Sequence, residues 1–192
     1  MQILSCPEEA TPPELRAQVL KIRHQAWPSD GDGPARSALT HDPELRPWSM
    51  LLVDGGRVLA ALDILFKEIE HAGQRHAAGG LSMMVTCREA RGLGLGRRLA
   101  AAARAVMIAR NLDLGLFTCD RPLQAFYESA GWHLLPGTVL IGGTPHAPFP
   151  SDQPGFDKVT MADFFSAAGR HAQASFRHAR IGLYPGEKDK LW

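Results

Sequence analysis

The sequence predicts a mixed α/β domain whose central sheet is largely antiparallel. Two apolar runs in "WSMLLVDGGRVLAALDILFKEI" flank Asp54-Gly55-Gly56, which predicts a hairpin because glycine adopts the positive φ angles of tight turns. The stretch "GRRLAAAARAVMIARN" is rich in alanine and predicts a helix. One face of that helix carries Leu95, Leu99, Ala102 and Val106. The elements follow in the order helix, hairpin strands, strand, glycine turn, helix, strand, helix, strand, which is typical of an α/β or α+β fold.

The first forty residues predict a strand, a helix and a loop. "QILSC" is a short opening strand, and "TPPELRAQVLKIRHQAW" is a helix that Thr11 caps, with Pro12 and Pro13 in its first turn. "PSDGDGPARS" is a polar loop broken by glycine and proline. After the hairpin, we expect a second turn near Gly73 and a third antiparallel strand that ends in "MMVTC".

The second half of the chain continues the alternation of strands and helices. "LDLGLFTC" predicts a strand, and "DRPLQAFYESAG" predicts a helix that Asp120 caps and Gly131 terminates. "WHLLPGTVLIGG" predicts one returning strand, and residues 144–154 predict a loop. "FDKVTMADFFSAAG" indicates a further strand and a short helix before a charged tail. We therefore expect one domain over residues 1–192.

Composition limits the classes of function. Lys plus Arg (21) nearly balances Asp plus Glu (20), so no global field recruits nucleic acid or an anionic membrane. Cys6, Cys87 and Cys119 are odd in number and widely spaced, which favours reduced thiols and neither disulfides nor a zinc site. No signal peptide and no apolar stretch of about 20 residues is present, so together with the reduced thiols we expect a cytoplasmic protein. The lack of a Cys/His cluster predicts no bound metal.

The turn "RGLGLGRR" at residues 91–98 predicts a local anion site. It stands between a strand and a helix, so unpaired backbone N–H groups and the helix dipole both favour negative charge there. Glycines let the backbone approach a phosphate closely, because no Cβ intervenes. The turn fits neither GxxxxGK[ST] nor GxGxxG, which excludes a P-loop and a Rossmann fingerprint.

The turn matches the pattern Arg-x-x-Gly-x-Gly through Arg91, Gly94 and Gly96. This pattern, followed by "LQAFYESAGW", resembles the acetyl-CoA loop and second motif of the GCN5-related N-acetyltransferase (GNAT) superfamily. The resemblance implies the GNAT fold and acetyl-CoA (coenzyme A) as the acetyl donor. The resemblance implies that main-chain amides of the loop bind the pyrophosphate of the coenzyme. It also implies that the end of the preceding strand pairs with the pantetheine arm. The coenzyme-binding residues that it implies are Met84, Val85, Thr86, Arg91, Gly92, Leu93, Gly94, Leu95, Gly96 and Arg97.

The resemblance also implies how acetyl transfer is catalysed. Tyr127 is the expected general acid for the departing thiolate, although a tyrosine pKa of about 10 against about 8.5 for a thiol makes it a weak acid there. Main-chain N–H groups near Val85 are expected to polarise the thioester carbonyl. The alternative for Tyr127 is a core tyrosine whose hydroxyl bonds any buried partner.

Within the superfamily, residues 50–132 are most similar to aminoglycoside 2′-N-acetyltransferases. Those enzymes carry a glutamate where this chain has Ser82, and a serine can hold a water but cannot accept a proton at neutral pH. We expect a water relay through Ser82 or an acceptor amine that arrives deprotonated. Other candidates for the base lie on adjacent strand segments: Glu68, Glu70, His71 and His76.

The expected acceptor is a polycationic sugar, which calls for carboxylates in a cleft. Asp30 and Asp32 stand in the loop after the first helix, and the tail offers Glu187, Asp189 and Trp192. The alternative for the tail is a charged disordered segment, but a Leu-Trp ending favours burial. Residues 144–180 depart from the aminoglycoside pattern, which together with Ser82 suggests an unusual aminoglycoside such as kasugamycin.

Two other functions fit the same sequence. One is acyl transfer to another amine: a polyamine, a peptide N-terminus or an amino sugar of the nodulation-factor type. The other is an acetyl-CoA-binding module without catalysis, which Ser82 favours and Tyr127 opposes. The superfamily also leaves a homodimer open.

Overall fold

The computed structural model describes residues 1–28 and 39–192, and its elements alternate as the sequence predicts. The first half contains β1 (Gln2–Pro7), α1 (Pro13–Ala26), β2 (Trp48–Asp54), β3 (Arg57–His71), β4 (Gln74–Thr86) and α2 (Leu95–Ala109). The second half contains β5 (Leu114–Asp120), α3 (Gln124–Ser129), β6 (His133–Leu134), β7 (Val139–Gly143), β8 (Pro148–Pro150), β9 (Lys158–Phe164), α4 (Ala167–Phe176) and β10 (Arg180–Gly182). Within these ranges, no helix is both long and apolar enough to cross a bilayer.

Seven strands form the main sheet in the order β1-β2-β3-β4-β5-β9-β6, and all neighbours are antiparallel except β4 and β5. The predicted hairpin is present: Asp54 pairs with Arg57, and Gly55 and Gly56 both have positive φ. The second turn is also where we expect it, at Ala72-Gly73. The mixed, mostly antiparallel α/β fold is therefore confirmed.

The returning strand predicted over residues 132–143 is wrong in one respect, because it is two strands in two sheets. β6 pairs with β9 in the main sheet, whereas β7 lies between β10 and β8 in a second, three-stranded sheet. Pro136 and Gly137 separate the two strands, and Gly137 has a φ of 65°. The expected loop over residues 144–154 contains β8.

Several helix caps also differ from the expectation. α1 has Pro12 at its N-cap and no side-chain cap, so Thr11 does not cap it. Asp120 makes no side-chain cap either, and the helix predicted after it begins as a 3-10 turn over Arg121–Leu123. Gly131 follows α3 with a φ of 88°, as expected of a helix terminator.

The buried face of α2 is shifted from the predicted stripe. Leu95 and Leu99 are buried as expected, but Ala102 and Val106 are only partly buried. The residues that complete the buried face are Gly96, Ala100, Ala103 and Met107. α2 contacts β2, β3, β4 and β5 through this face, so its first turn is fixed against the end of β4.

Candidate active site

The loop between β4 and α2 has the backbone geometry that anion-binding loops use. Gly92 and Gly94 have φ angles of 78° and 73°, a conformation that L side chains rarely adopt. Gly94, the N-cap residue of α2, has no side chain to cap the helix, and Arg98 N–H donates to the Gly94 carbonyl (3.0 Å) as the helix begins. The N–H groups of the first turn before Arg98 are left free of helical partners, so they and the helix dipole can bind phosphate oxygens.

Gly96 brings the first turn of α2 against the end of β4. A Cβ on Gly96 would lie 3.0 Å from Met84 Cε, 3.1 Å from Thr86 Oγ1 and 3.3 Å from Phe126 Cζ. Arg91 Nε donates to the Thr86 carbonyl (3.3 Å), which ties the start of the loop to the same strand end. The expected coenzyme-binding residues of β4 and of the loop are therefore neighbours in space.

A β-bulge interrupts β4 where it reaches this loop. Ala61 pairs with Val85 and Asp63 pairs with Ser82, so Met83 and Met84 together lie opposite one residue of β3. Met83 has a φ of 51°, which is strained for a residue with a long side chain. Bulges of this kind are found beside active sites, where they redirect the strand.

The hydrogen bonds after the bulge show which backbone groups of β4 face away from β3. Cys87 N–H donates to the Leu59 carbonyl (2.9 Å), whereas the Thr86 carbonyl bonds Arg91 instead. Backbone groups alternate in direction along an antiparallel pair, so Val85 N–H points toward β3. The amides of Met84 and Thr86, on either side of Val85, point the other way.

A gap opens between β4 and β5 on the side to which those amides point. The two strands pair only at Ala78–Leu114 and Gly79–Gly115, after which β4 continues to Thr86 with no partner strand on this side among the described residues. An extended chain can enter such a gap and bond the free backbone groups of either strand. The pantetheine arm of coenzyme A is an extended chain with amide groups of this kind.

Trp192 occupies the narrow end of this gap. Its main-chain oxygen accepts from Thr118 N–H (3.0 Å) and Thr118 Oγ1 (3.1 Å) on β5. Its indole lies against β4, since a Cβ on Gly80 would be 2.4 Å from Trp192 Cδ1. Gly79, the preceding residue, faces Met107 and Leu112 on the opposite side of the sheet. Trp192 therefore lies on the face opposite α2, and the predicted burial of the tail residue is confirmed at 3% exposure.

A family model described as "Acetyltransferase (GNAT) family" matches residues 13–132, which include the bulge, the glycine loop and α3. The chain belongs to the acetyltransferase (GNAT) family. It is an acyl-CoA-dependent N-acetyltransferase, and its donor is acetyl-CoA. Comparison with curated protein sequences gives no match.

Solved structures share the fold at low identity. An aminoglycoside 6′-acetyltransferase type Ii is similar with a TM-score of 0.60 and 16% identity, over 86% of this chain and 98% of that one. An acyl-CoA N-acyltransferase from Pseudomonas aeruginosa has a TM-score of 0.56 and 18% identity, over 84% and 97% of the two chains. A chain of the NatC complex bound to Gag peptide and CoA has a TM-score of 0.53 and 17% identity, over 86% and 100%.

Tyr127 of this GNAT enzyme lies on α3 and is buried beside β5. Its ring centroid is 4.9 Å from that of Phe117 and 4.9 Å from that of Phe126. Burial raises the pKa of the Tyr127 phenol far above its ordinary value, and the nearby Cys119 and Asp120 add to the increase. The hydroxyl therefore keeps its proton at any physiological pH, and it makes no hydrogen bond to the described residues.

Ser82 is half-buried on β4, directly across from Asp63 on β3. Residues directly opposite in an antiparallel pair share a face of the sheet, so both lie on the side of α1 and Trp192. Glu68, Glu70, His71 and His76 lie at the turn end of the same hairpin. His76 is six residues from Ser82, about 20 Å along the strand, so none of these four side chains is near the bulge.

The residues expected to bind the acceptor fall into three places. Asp30 and Asp32 lie outside the described residues. Glu187 is exposed, whereas both oxygens of the Asp189 carboxylate are already bonded, to His41 Nδ1 (2.5 Å) and to Asp42 N–H (2.8 Å). Trp192 lies in the gap as described.

Sequence reasoning missed a buried cluster of charges beside the gap. Asp63 is 1% exposed and accepts from Arg23 Nη2 (2.6 Å), His41 Nε2 (2.9 Å) and Ser49 Oγ (2.7 Å). One signal could have found it, since Asp63 is the only acid within the apolar run "VLAALDILF" of β3. A lone carboxylate in a buried strand requires partners, which the sequence alone does not name.

Proposed function

We propose that this enzyme acetylates a primary amine of an aminoglycoside, at the 2′ position, with kasugamycin as the first acceptor to test. The observation that carries the proposal is the return of the C-terminal tail to the gap between β4 and β5. The tail that ends in Trp192 returns to this gap, and Asp189 in the same tail bonds His41, which follows the loop of Asp30 and Asp32. The tail, one of the two segments proposed to bind the acceptor, thus lies on the side of the sheet opposite α2.

The coenzyme side of the proposal depends on backbone groups. When bound, acetyl-CoA supplies an activated acyl group and departs as the free thiol. The amides from Gly92 to Arg97 would hold its pyrophosphate, and Gly96 permits the close approach of α2 to Met84. The Met84 N–H, which points into the gap, would hold the carbonyl oxygen on which negative charge develops.

Proton movement depends on two side chains. Burial keeps the hydroxyl proton on Tyr127. Tyr127 would therefore give that proton only to a thiolate that departs within hydrogen-bonding distance of its hydroxyl. Ser82 would hold a water at the entrance to the gap that relays the proton of the acceptor ammonium to bulk solvent, or the acceptor amine would arrive already deprotonated. Because Asp63 is fully bonded, we do not assign it the role of base.

An acceptor panel tests the proposal. Purified protein and acetyl-CoA would be assayed for thiol release against kasugamycin, other aminoglycosides, spermidine and peptides with free N-termini. We expect turnover with aminoglycosides, and NMR of the product should place the new acetyl group on the 2′ nitrogen. Acetylation at another amine overturns the 2′ assignment, and turnover with peptides or spermidine alone overturns the aminoglycoside assignment.

A further inference from the structure

We propose that His41 is a positioning residue whose imidazolium clasps the C-terminal tail and thereby holds Trp192 in the gap between β4 and β5. The clasp consists of Asp63 on β3, His41 and Asp189 in the tail. Its effect on catalysis rests on the proposed function of the gap, but the burial of the Trp192 side chain in the gap can be measured without any acceptor.

The geometry of His41 uses both ring nitrogens. Nε2 is 2.9 Å from Asp63 Oδ2 and Nδ1 is 2.5 Å from Asp189 Oδ1, and the side chain is 1% exposed. Two carboxylates can each accept a hydrogen bond from the ring only when both nitrogens carry a proton. The cationic imidazolium is therefore the form that satisfies this arrangement.

The charges around His41 balance only in that form. Three carboxylates face it: Asp63 on β3, Asp189 in the tail and Glu8, which accepts from the His41 main-chain N–H (3.3 Å). Two further cations are bonded to the cluster, since Arg23 on α1 bonds Asp63 and Lys188 Nζ donates to the His41 carbonyl (2.8 Å). A neutral His41 would leave an uncompensated carboxylate in a buried site, which is costly.

The pKa values agree with this balance. Burial opposes the charge on His41, but the hydrogen bonds and charges of Asp189 and Asp63 outweigh it and raise the His41 pKa to about 9. Burial likewise opposes the charge on Asp63, but Arg23, His41 and Ser49 together lower the Asp63 pKa to about 2. Both groups are charged throughout the neutral range.

The clasp bonds the tail at Asp189, and other hydrogen bonds hold the residues that follow. Asp189 also accepts from Asp42 N–H, so both of its oxygens are bonded. Past the clasp, the Lys190 carbonyl accepts from Gly143 N–H (2.6 Å) on β7, and Trp192 then bonds Thr118 on β5. Among the described residues, three hydrogen bonds follow Asp189 in the tail, so loss of the bond at Asp189 should loosen the segment that ends in Trp192.

Asp189→Asn is the sharper test because it leaves the His41–Asp63 pair intact. His41 and Asp42 bond different oxygens of Asp189, and an amide keeps only one of these oxygens, so its NH2 group would face one of the two donors. Asp152→Asn is the matched control, since Asp152 forms an exposed pair with Arg180 (2.7 Å). His41→Gln is the second variant, which tests the same clasp from the other side.

The readout is fluorine NMR of protein labelled with 5-fluorotryptophan, in which Trp192→Phe assigns the Trp192 signal. At pH 7, we expect Asp189→Asn to move the chemical shift of Trp192 to the value of a solvent-exposed fluorotryptophan. Asp152→Asn should leave the chemical shift unchanged. In the wild type, the signal should move to the exposed position as the pH rises through about 9. If the Trp192 signal of Asp189→Asn stays at its wild-type position, or if the wild-type signal does not respond up to pH 10, the proposal is wrong.

Kinetics separate this inference from the proposed function. With a working acceptor, Asp189→Asn should raise the acceptor KM about tenfold or more and leave the acetyl-CoA KM unchanged. If the acceptor panel gives no turnover at all, the proposed function fails while the NMR result still decides the clasp. A raised KM for both substrates would show general loss of structure and would overturn the positioning role.

Discussion

Tyr127 is the residue whose chemistry is most directly testable. Its hydroxyl proton is retained because burial disfavours the phenolate, and no described residue competes for it. We expect Tyr127→Phe to lower kcat by about 10²-fold, which is typical of the loss of a general acid, and to leave the acetyl-CoA KM nearly intact. Steady-state thiol release measures both constants. Tyr184, the other tyrosine of the chain, provides the control Tyr184→Phe, and equal activity of the two variants would remove Tyr127 from the mechanism.

Gly94 tests the anion site at the scale of a single residue. Gly94→Glu places a carboxylate beside the pyrophosphate and forces a side chain into a φ of 73°, so acetyl-CoA binding should be lost in isothermal titration calorimetry. Gly55→Glu is the matched control, because Gly55 also has positive φ (52°) and has open space around it. Retained binding by Gly94→Glu, with Gly55→Glu similarly stable, would place the coenzyme elsewhere.

At the scale of elements, the contact between β4 and the tail depends on Gly80. Gly80→Ala would place a methyl group 2.4 Å from the Trp192 indole, so the indole must move or the strands must separate. We expect a loss of about 1–3 kcal/mol in the free energy of unfolding, as for other overpacked sites. In the Trp192→Ala background, the same substitution should cost much less, which urea denaturation of the four proteins would show as a coupling energy. Gly79→Ala, which meets Leu112 and Met107 instead, should show no coupling to Trp192.

Local chemistry explains which elements the sequence predicted well. The Gly55-Gly56 hairpin, the turn at Gly73 and the glycine loop before α2 each depend on a few adjacent residues, and each is present. The division of residues 132–143 between two sheets depends instead on distant partners, β9 for β6 and β10 for β7. No local pattern encodes that choice, so a single strand was the natural expectation.

The same argument holds for the charged cluster. His41 bonds Asp63 across 22 positions and Asp189 across 148 positions of the chain. Each of these residues looks like an ordinary polar residue in its own segment, and only the fold brings them together. Asp189 was predicted to bind the acceptor, and in the structure its two oxygens bond protein groups.

At the scale of the whole molecule, the cluster joins α1, β3, the segment before β2 and the C-terminal tail. Its charges should therefore make overall stability depend on pH at both extremes. Asp63 has a lowered pKa, so its contribution is present above about pH 4 and is lost as the pH falls toward about 2. His41 has a raised pKa, so its contribution is complete below about pH 6.5 and is lost as the pH rises through about 9.

The alkaline range gives the decisive measurement, because the ordinary pKa values of lysine and tyrosine, near 10, lie above the His41 pKa of about 9. Burial raises the Cys119 pKa to about 11, and the loss that this causes is common to the wild type and His41→Gln. The shift in the His41 pKa corresponds to a loss on the order of 3 kcal/mol in the free energy of unfolding between pH 6 and pH 10. Urea denaturation at intervals across this range should show the decrease in the wild type and a much flatter curve in His41→Gln. His171→Gln, which replaces an exposed histidine of α4, should follow the wild type. A wild-type curve as flat as that of His41→Gln would mean that His41 is neutral in the folded protein, since only a group that binds its proton more tightly when folded loses stability in this direction.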